Sequence, residues 1–221
     1  NDTFGKFEII FFIPIGTIYF QIRSNNSFKR IDTIAKRKNG RCSLKIVPIS
    51  HIPKLHNTVK LFSLNCSKVE AVKHIHITLP KGGDGRDSMK VVMMTDLHIG
   101  EIIDKKLVQR YVRMVNEQQP DMVVLIGDIM DYESRFAEKA HIEEDLQQIK
   151  APLGTYIVYG NHEYRANRIA KQRWLKKTGA TLLVDSVVMP DSTFYLIGRD
   201  DYINKRRKPL QSLMAGIDTT K

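Results

Sequence analysis

The chain of 221 residues has seven histidines and none after His162, so its last 59 residues can supply neither an imidazole ligand nor a histidine proton carrier. Cysteine is almost as scarce. Cys42 and Cys66 form no Cys-x-x-Cys pair and are too few for a disulfide framework, which excludes a disulfide-stapled scaffold and leaves the redox compartment unread. No apolar run reaches the ~18–20 residues that a bilayer span needs. The longest, Ile9 to Phe20, follows Glu8 and contains Pro14 and Gly16. Little positive charge precedes it and no small-residue cleavage site follows it, which argues against a cleavable signal peptide. Internal repeats and low-complexity tracts are also missing. The first residue is Asn rather than Met, so a fragment or a processed product is expected.

What is present reads as globular, with 42% hydrophobic and 27% charged residues. The net charge of +11 is unevenly placed: residues 1–88 hold 15 basic and 6 acidic residues, whereas residues 89–221 hold 20 and 18. Arg23, Lys29, Arg30, Lys36, Arg37, Lys38, Arg41 and Lys45 follow the apolar run, opposed only by Asp32. Two readings stand side by side. One is a membrane-proximal or interfacial segment over residues 7–22 with a basic linker on anionic lipid; the other is a buried strand followed by a solvated linker. Residues 23 to about 70 show no sustained period and read as irregular. The expected division is an N-terminal extension, 1–71, and a domain over 72–221.

Order begins near Val72, where Ile75, Ile77 and Leu79 alternate with His74, His76 and Thr78, a strand with one wet face stopped at Pro80. From Met89 the pattern changes. Val91–Met94, Met122–Ile126 and Tyr156–Tyr159 are continuous apolar runs, as expected of parallel strands covered on both faces. Between the first two lies an amphipathic helix with Asp104 as N-cap, Leu107, Val108, Tyr111, Val112 and Val115 on one face, and Pro120 beyond its end. A second helix is expected after Ser134 with Phe136, Ala140 and Leu146 inward. A third is expected from about Glu163 to Lys177 with Ile169, Ala170 and Trp174 on the core side and Gly179 as stop. Thr181–Val184, Val187–Met189 and Phe194–Ile197 read as further strands. The alternation predicts an α/β fold with right-handed crossovers.

Each of the three apolar runs ends in polar side chains suited to chemistry: Thr95-Asp96-Leu97-His98, Gly127-Asp128, and Gly160-Asn161-His162-Glu163. In an open α/β sheet, ligands bind beyond the carboxyl ends of the strands, so the fold alone would gather these segments. Asp96 and His98 can turn toward one metal, a carboxylate such as Asp128 can bridge two, and Asn161 offers a neutral carbonyl oxygen. Mixed carboxylate, imidazole and amide ligation favours Mn, Fe or Zn over thiolate-seeking ions. Two such ions about 3.5–4 Å apart can activate water and neutralise charge on a phosphoryl group, with His162 placed to protonate the departing oxygen.

In order and spacing these segments resemble the calcineurin-like metallophosphoesterase superfamily over about Lys90 to Asp201. Gly127-Asp128-Ile129-Met130-Asp131 and Gly160-Asn161-His162-Glu163-Tyr164 are most similar to bacterial membrane-linked members, among them the UDP-2,3-diacylglucosamine pyrophosphatases of lipid A synthesis. The resemblance implies the first half of a double-sheet αββα sandwich. It also implies two divalent metals, with Asp96 and His98 on the first, Asp128 bridging, Asn161 on the second and His162 catalytic. A phosphorylated small molecule or a lipid-linked substrate is implied, as is a bacterial protein, membrane-associated or cytoplasmic. Family members carry a further lone His and a Gly-His-x-His. Neither is present here, so the chain is expected to stop before them and to hold metal poorly as it stands.

Other residues carry weaker signals. His74 and His76 share a strand face that is expected to be solvent-facing, His141 beside Glu144 and Asp145 a wet helix face, and His51 and His56 have no interpretable spacing. Asp131 is read either as a loop-orienting group or as a plain surface carboxylate, and Glu163 as a first-turn residue favoured by the helix dipole. Arg199 is expected to ion-pair with Asp200 or Asp201, and Lys205 to Lys208 to be a solvated run. A nuclease of the same superfamily is the competing enzyme reading, disfavoured because the basic excess lies N-terminal. The non-enzymatic alternative is an inactive membrane-attached remnant.

Overall fold

The computed structural model describes residues 4–12, 19–24, 27–38, 41–46, 72–80, 88–101 and 103–217. In chain order the strands and helices are β1 (Phe4–Phe12), β2 (Tyr19–Ser24), β3 (Ser27–Lys38), β4 (Arg41–Ile46), β5 (Val72–Pro80), β6 (Ser88–Met94), α1 (Lys105–Glu117), β7 (Met122–Ile126), α2 (Arg135–Lys139), α3 (Ile142–Leu146), β8 (Thr155–Val158), α4 (Arg168–Lys177), β9 (Thr181–Leu182), β10 (Ser186–Asp191), β11 (Phe194–Gly198) and α5 (Leu210–Met214). Two compact units result, residues 1–14 with 72–221, and residues 15–71.

The larger unit is built on a six-stranded sheet in the order β5-β1-β6-β7-β8-β9. Strands β6 to β9 are parallel, as their continuous apolar sequences require. Val92, Val123 and Ile157 in the middle three are fully buried. The N-terminal apolar run divides. Ile9–Phe12 belong to β1, which pairs parallel with β6 and antiparallel with β5, so the strand reading holds for these residues. Residues 13–18 lie outside the described ones. Residues 1–14 fall with the larger unit, because a strand that pairs with β6 must belong to its sheet. No helix among the described residues is long and apolar enough to cross a membrane.

The smaller unit contains an antiparallel meander, β2-β3-β4, of which β3 and β4 fall within the stretch that reads as irregular in sequence. The apolar residues of β3, Phe28, Ile31 and Ile34, recur every third position rather than every second, so the strand signature is absent from its sequence.

Helix α1 begins where Asp104 accepts a hydrogen bond from the Leu107 N–H at 3.0 Å, and it buries Val108, Tyr111, Val112 and Val115. The second expected helix is broken in two. His141 adopts a left-handed φ of 51° between α2 and α3, and the inward residues are Ala137, Ile142 and Leu146, with Phe136 and Ala140 only partly covered. The third helix starts later than expected, at Arg168, because residues 162–164 form a separate 3-10 turn and Asn167 caps α4 through the Ala170 N–H. Its buried face is therefore Lys171, Trp174 and Leu175, and Ile169, expected inside, is 63% exposed. After Gly179 (φ +77°) and β9, the hairpin β10-β11 forms a second small sheet. His74 and His76 lie exposed on β5, as an amphipathic edge strand predicts.

Candidate functional site

The loops that leave β6 and β7 run side by side. The Asp96 N–H donates to the Gly127 carbonyl, His98 to that of Asp128, Ile99 to that of Ile129, and Asp131 back to Ile99, at 2.8–3.2 Å. The ladder holds an unusual backbone: Asp96, His98 and Asp128 all have left-handed φ, at 54°, 47° and 50°. Asp and His tolerate that region better than most residues, yet each instance costs on the order of 1–3 kcal/mol and persists only where its surroundings over-determine it. Three of the five residues expected to form the site are so constrained.

The third loop, after β8, is clamped to the second by Glu163. Its carboxylate is 1% exposed and accepts four backbone N–H groups: Asp128 and Gly160 on Oε2, each at 2.8 Å, and Ile129 and Met130 on Oε1, at 2.8 and 3.3 Å. Burial pushes this carboxyl above its ordinary range, and the N–H groups pull it back. Glu163 does lie in the first turn of the 3-10 helix, as expected, and it is in addition the tie between two loops more than 30 residues apart. The same closeness explains the glycines. A Cβ on Gly127 would lie 2.5 Å from the Gly160 nitrogen, and one on Gly160 would lie 2.3 Å from Asp128 Oδ1.

Side chains converge on Asp128. Its Oδ1 accepts the His162 backbone N–H at 2.8 Å, and its Oδ2 lies 3.9 Å from His98 Nε2. The same His98 nitrogen is 3.6 Å from Asp96 Oδ1, and the His98 and His162 rings meet edge to face at 4.4 Å. With its amide turned to satisfy both neighbours, Asn161 donates to Asp128 Oδ2 and accepts from Arg165 Nη2, each at 3.1 Å. All five expected residues are therefore brought to one place. One donor atom from each of His98, Asp128 and His162 lies within 4.8 Å of the others. Asp96 stands outside that triplet but within reach of His98.

Asp131 proves to be more than a surface carboxylate. Its carbonyl is 2.8 Å from His162 Nδ1, and its carboxylate Oδ1 is 3.2 Å from the same nitrogen and 3.5 Å from His98 Nδ1. A carbonyl can only accept, so His162 Nδ1 carries the proton. Nε2 then presents its lone pair, now facing Arg165 Nη1 at 2.8 Å. Behind the loop, Lys171 is 1% exposed and donates to the His162 carbonyl at 2.6 Å. Burial lowers its pKa, opposed by Glu163, Asp131 and Asp128. Lys171 escaped the sequence reading because a lysine in a helical stretch looks like a surface residue, and Glu163, though part of the third motif, carries no sequence sign of being a clamp. Asp131, three positions after Asp128, was the one with a signal.

The donor set fits a divalent cation. Burial raises the pKa of Asp96, and the like charge of Asp128 adds to the rise, against the Thr95 hydroxyl and His98, which lower it. A nearby cation would relieve that repulsion. His98 Nδ1 is buried without a hydrogen-bond partner, its neighbouring carboxylate, Asp131, standing 3.5 Å away. Two carboxylates, two imidazoles and an amide are ligands for a hard or borderline ion.

Elsewhere, Arg199 donates to the Lys208 carbonyl at 3.1 Å, where an ion pair with Asp200 or Asp201 was expected. Asp200 is instead buried against the Tyr164 hydroxyl and the Asn204 amide. His141 is exposed and 3.6 Å from Glu144.

Comparison with known proteins agrees with this geometry. The family model described as calcineurin-like phosphoesterase matches residues 89–211. A Bos taurus protein named transmembrane protein with metallophosphoesterase domain is 33% identical over 107 residues, 48% of this chain and 24% of its own length. An uncharacterized metallophosphoesterase of Campylobacter jejuni is 26% identical over 167 residues, 74% of this chain and 43% of its own. A third, from Aquifex aeolicus, is 28% identical over 128 residues, 58% and 47%. The chain spans less than half the length of each of these relatives. No solved structure matches it.

Proposed function

The chain belongs to the calcineurin-like phosphoesterase family, and from that premise we propose that it serves the metal-dependent hydrolysis of phosphoric esters or anhydrides. The observation that carries the proposal is the convergence on Asp128 of His162, Asn161 and His98. Asp96 and His98 would hold one divalent ion and Asn161 a second, with Asp128 between them; Mn, Fe and Zn suit these donors. Two ions bound there would supply Lewis acidity and neutralise phosphoryl charge.

The chain's own groups do the rest. Asp131 holds His162 Nδ1, so Nε2 is the atom that meets a reactant and handles the proton of the departing oxygen. The Asp128 carboxylate is kept in place by the His162 N–H, and Glu163 with Lys171 fixes the loops beneath.

A phosphorylated small molecule or a nucleotide-linked lipid precursor is the substrate class we favour, with membrane association as the setting. The names of the relatives from Bos taurus and Danio rerio, both transmembrane proteins, support the setting, as does the N-terminal basic run. The test is hydrolysis of bis(p-nitrophenyl) phosphate with added Mn. Asp128→Ala should abolish the Mn-dependent rate, and turnover unchanged by that substitution would overturn the assignment.

A further inference from the structure

Three basic side chains follow His162 closely, and they differ in what they touch. Lys171 is buried against backbone carbonyls. Arg168 lies over the rings of Tyr164 and Tyr159, at 4.4 and 5.7 Å from their centroids. Arg165 is exposed, and its guanidinium reaches into the site, with Nη1 on His162 Nε2 and Nη2 on the Asn161 amide oxygen. Among the described residues no carboxylate forms an ion pair with it; those of the site face imidazoles.

A guanidinium carries five N–H donors in a rigid fork that matches two oxygens of a phosphate. Two neutral contacts leave most of that capacity unused. Its position decides which phosphate it would meet. Arg165 stands against His162 Nε2, and the proposed function puts that atom at the departing oxygen. A group bound by Arg165 is then part of the leaving group.

We propose that Arg165 binds the second phosphate of a diphosphate substrate, making the site selective for phosphoric anhydrides over simple esters. The proposal rests on the reading of His162 given above. In the reaction a diphosphate diester and water give two monophosphates. A P–O bond forms to the water oxygen, which keeps one proton. The bridging P–O bond breaks, its electron pair leaves on the second phosphate, whose charge Arg165 balances, and the second water proton reaches that departing oxygen by way of His162 Nε2. The imidazole contact is replaced by the phosphate contact when substrate arrives, which frees His162 Nε2.

The experiment compares wild type, Arg165→Ala and Arg165→Lys with Mn in excess. A dinucleoside diphosphate and bis(p-nitrophenyl) phosphate serve as substrates, and calorimetric titration of methylenediphosphonate as the binding readout. Arg165→Ala should lose about 10- to 100-fold in kcat/KM on the diphosphate and in diphosphonate affinity, the worth of a charged hydrogen-bonded pair. It should lose clearly less on the aryl diester, which has no second phosphate, and Arg165→Lys should recover part of the diphosphate loss. Equal losses on both substrates, or unchanged diphosphonate affinity, would overturn the proposal. If wild type hydrolyses neither substrate while diphosphonate affinity still depends on Arg165, the anion site stands and the hydrolase reading fails.

Discussion

Glu163 and Asp128 are joined by a 2.8 Å hydrogen bond from the Asp128 backbone N–H to Glu163 Oε2, so the residue at the centre of the site is held by an acid from another loop. Glu163→Gln tests the clamp. The new NH2 group would face two of the four N–H donors, leaving them without acceptors at about 1–3 kcal/mol each. A loss of about 2–6 kcal/mol is expected in urea unfolding. It can be followed by the fluorescence of Trp174, the sole tryptophan and fully buried. An unchanged midpoint would show that the clamp carries no stability.

Gly160→Ala should be costly and Gly100→Ala tolerated, although both lie in site loops. The first would place a methyl 2.3 Å from Asp128 Oδ1 and 2.6 Å from the Asp128 nitrogen, whereas the second meets only ordinary contact, with Asp131 Cβ at 3.5 Å. Overpacking of this kind costs about 1–3 kcal/mol. Thermal melting of the two variants gives the comparison, and equal stability would contradict the packing of the two loops.

Metal should stabilise the protein and chelator should remove the gain. At 100 times the dissociation constant, a ligand specific for the folded state adds about 2.7 kcal/mol. Asp128→Asn should abolish the shift in melting temperature on adding Mn. Without metal the same variant removes a like charge beside Asp96 but turns an NH2 toward a donor, the His162 N–H or the Asn161 amide, that the carboxylate now accepts, so a loss of about 1–3 kcal/mol is expected in thermal melting. Unchanged metal-free stability would show that relief of the charge offsets the lost acceptor.

Alkaline pH should loosen the link between the third loop and the segment after β11. Burial, then the hydrogen bond and charge of Asp200, push the Tyr164 hydroxyl up from 10.0 to about 12. The folded state therefore holds this proton more tightly than the unfolded chain. The stabilisation is complete below pH 10 and is lost as pH rises from there toward 12. Tyr164→Phe should flatten this part of the stability profile, and an unaltered profile would assign the loss to other groups.

Much of the site was legible because its residues end apolar runs. Val91–Met94, Met122–Ile126 and Tyr156–Tyr159 could only be buried strands, and a parallel sheet puts their carboxyl ends on one edge. Asp104 marked the start of α1 for an equally local reason, a side chain that caps the helix it precedes. Ile169 misled because an apolar side chain was put on the core face, whereas the face that α4 buries is Lys171, Trp174 and Leu175.

Sequence by itself determined the order of strands and the first helix in the region from Val72, the family resemblance, and the five residues that meet at the strand ends. Those follow from periodicity and from motif order, which are properties of short segments. Tertiary structure decided what holds them. The Glu163 clamp, the Lys171 support, the Asp131 contact with His162, and the insertion of β1 between β5 and β6 join positions separated by up to 82 residues, as in Lys6 beside Ser88. Hydrogen bonds and buried charges act through space, and a chain shows which pairs they join only once it has folded.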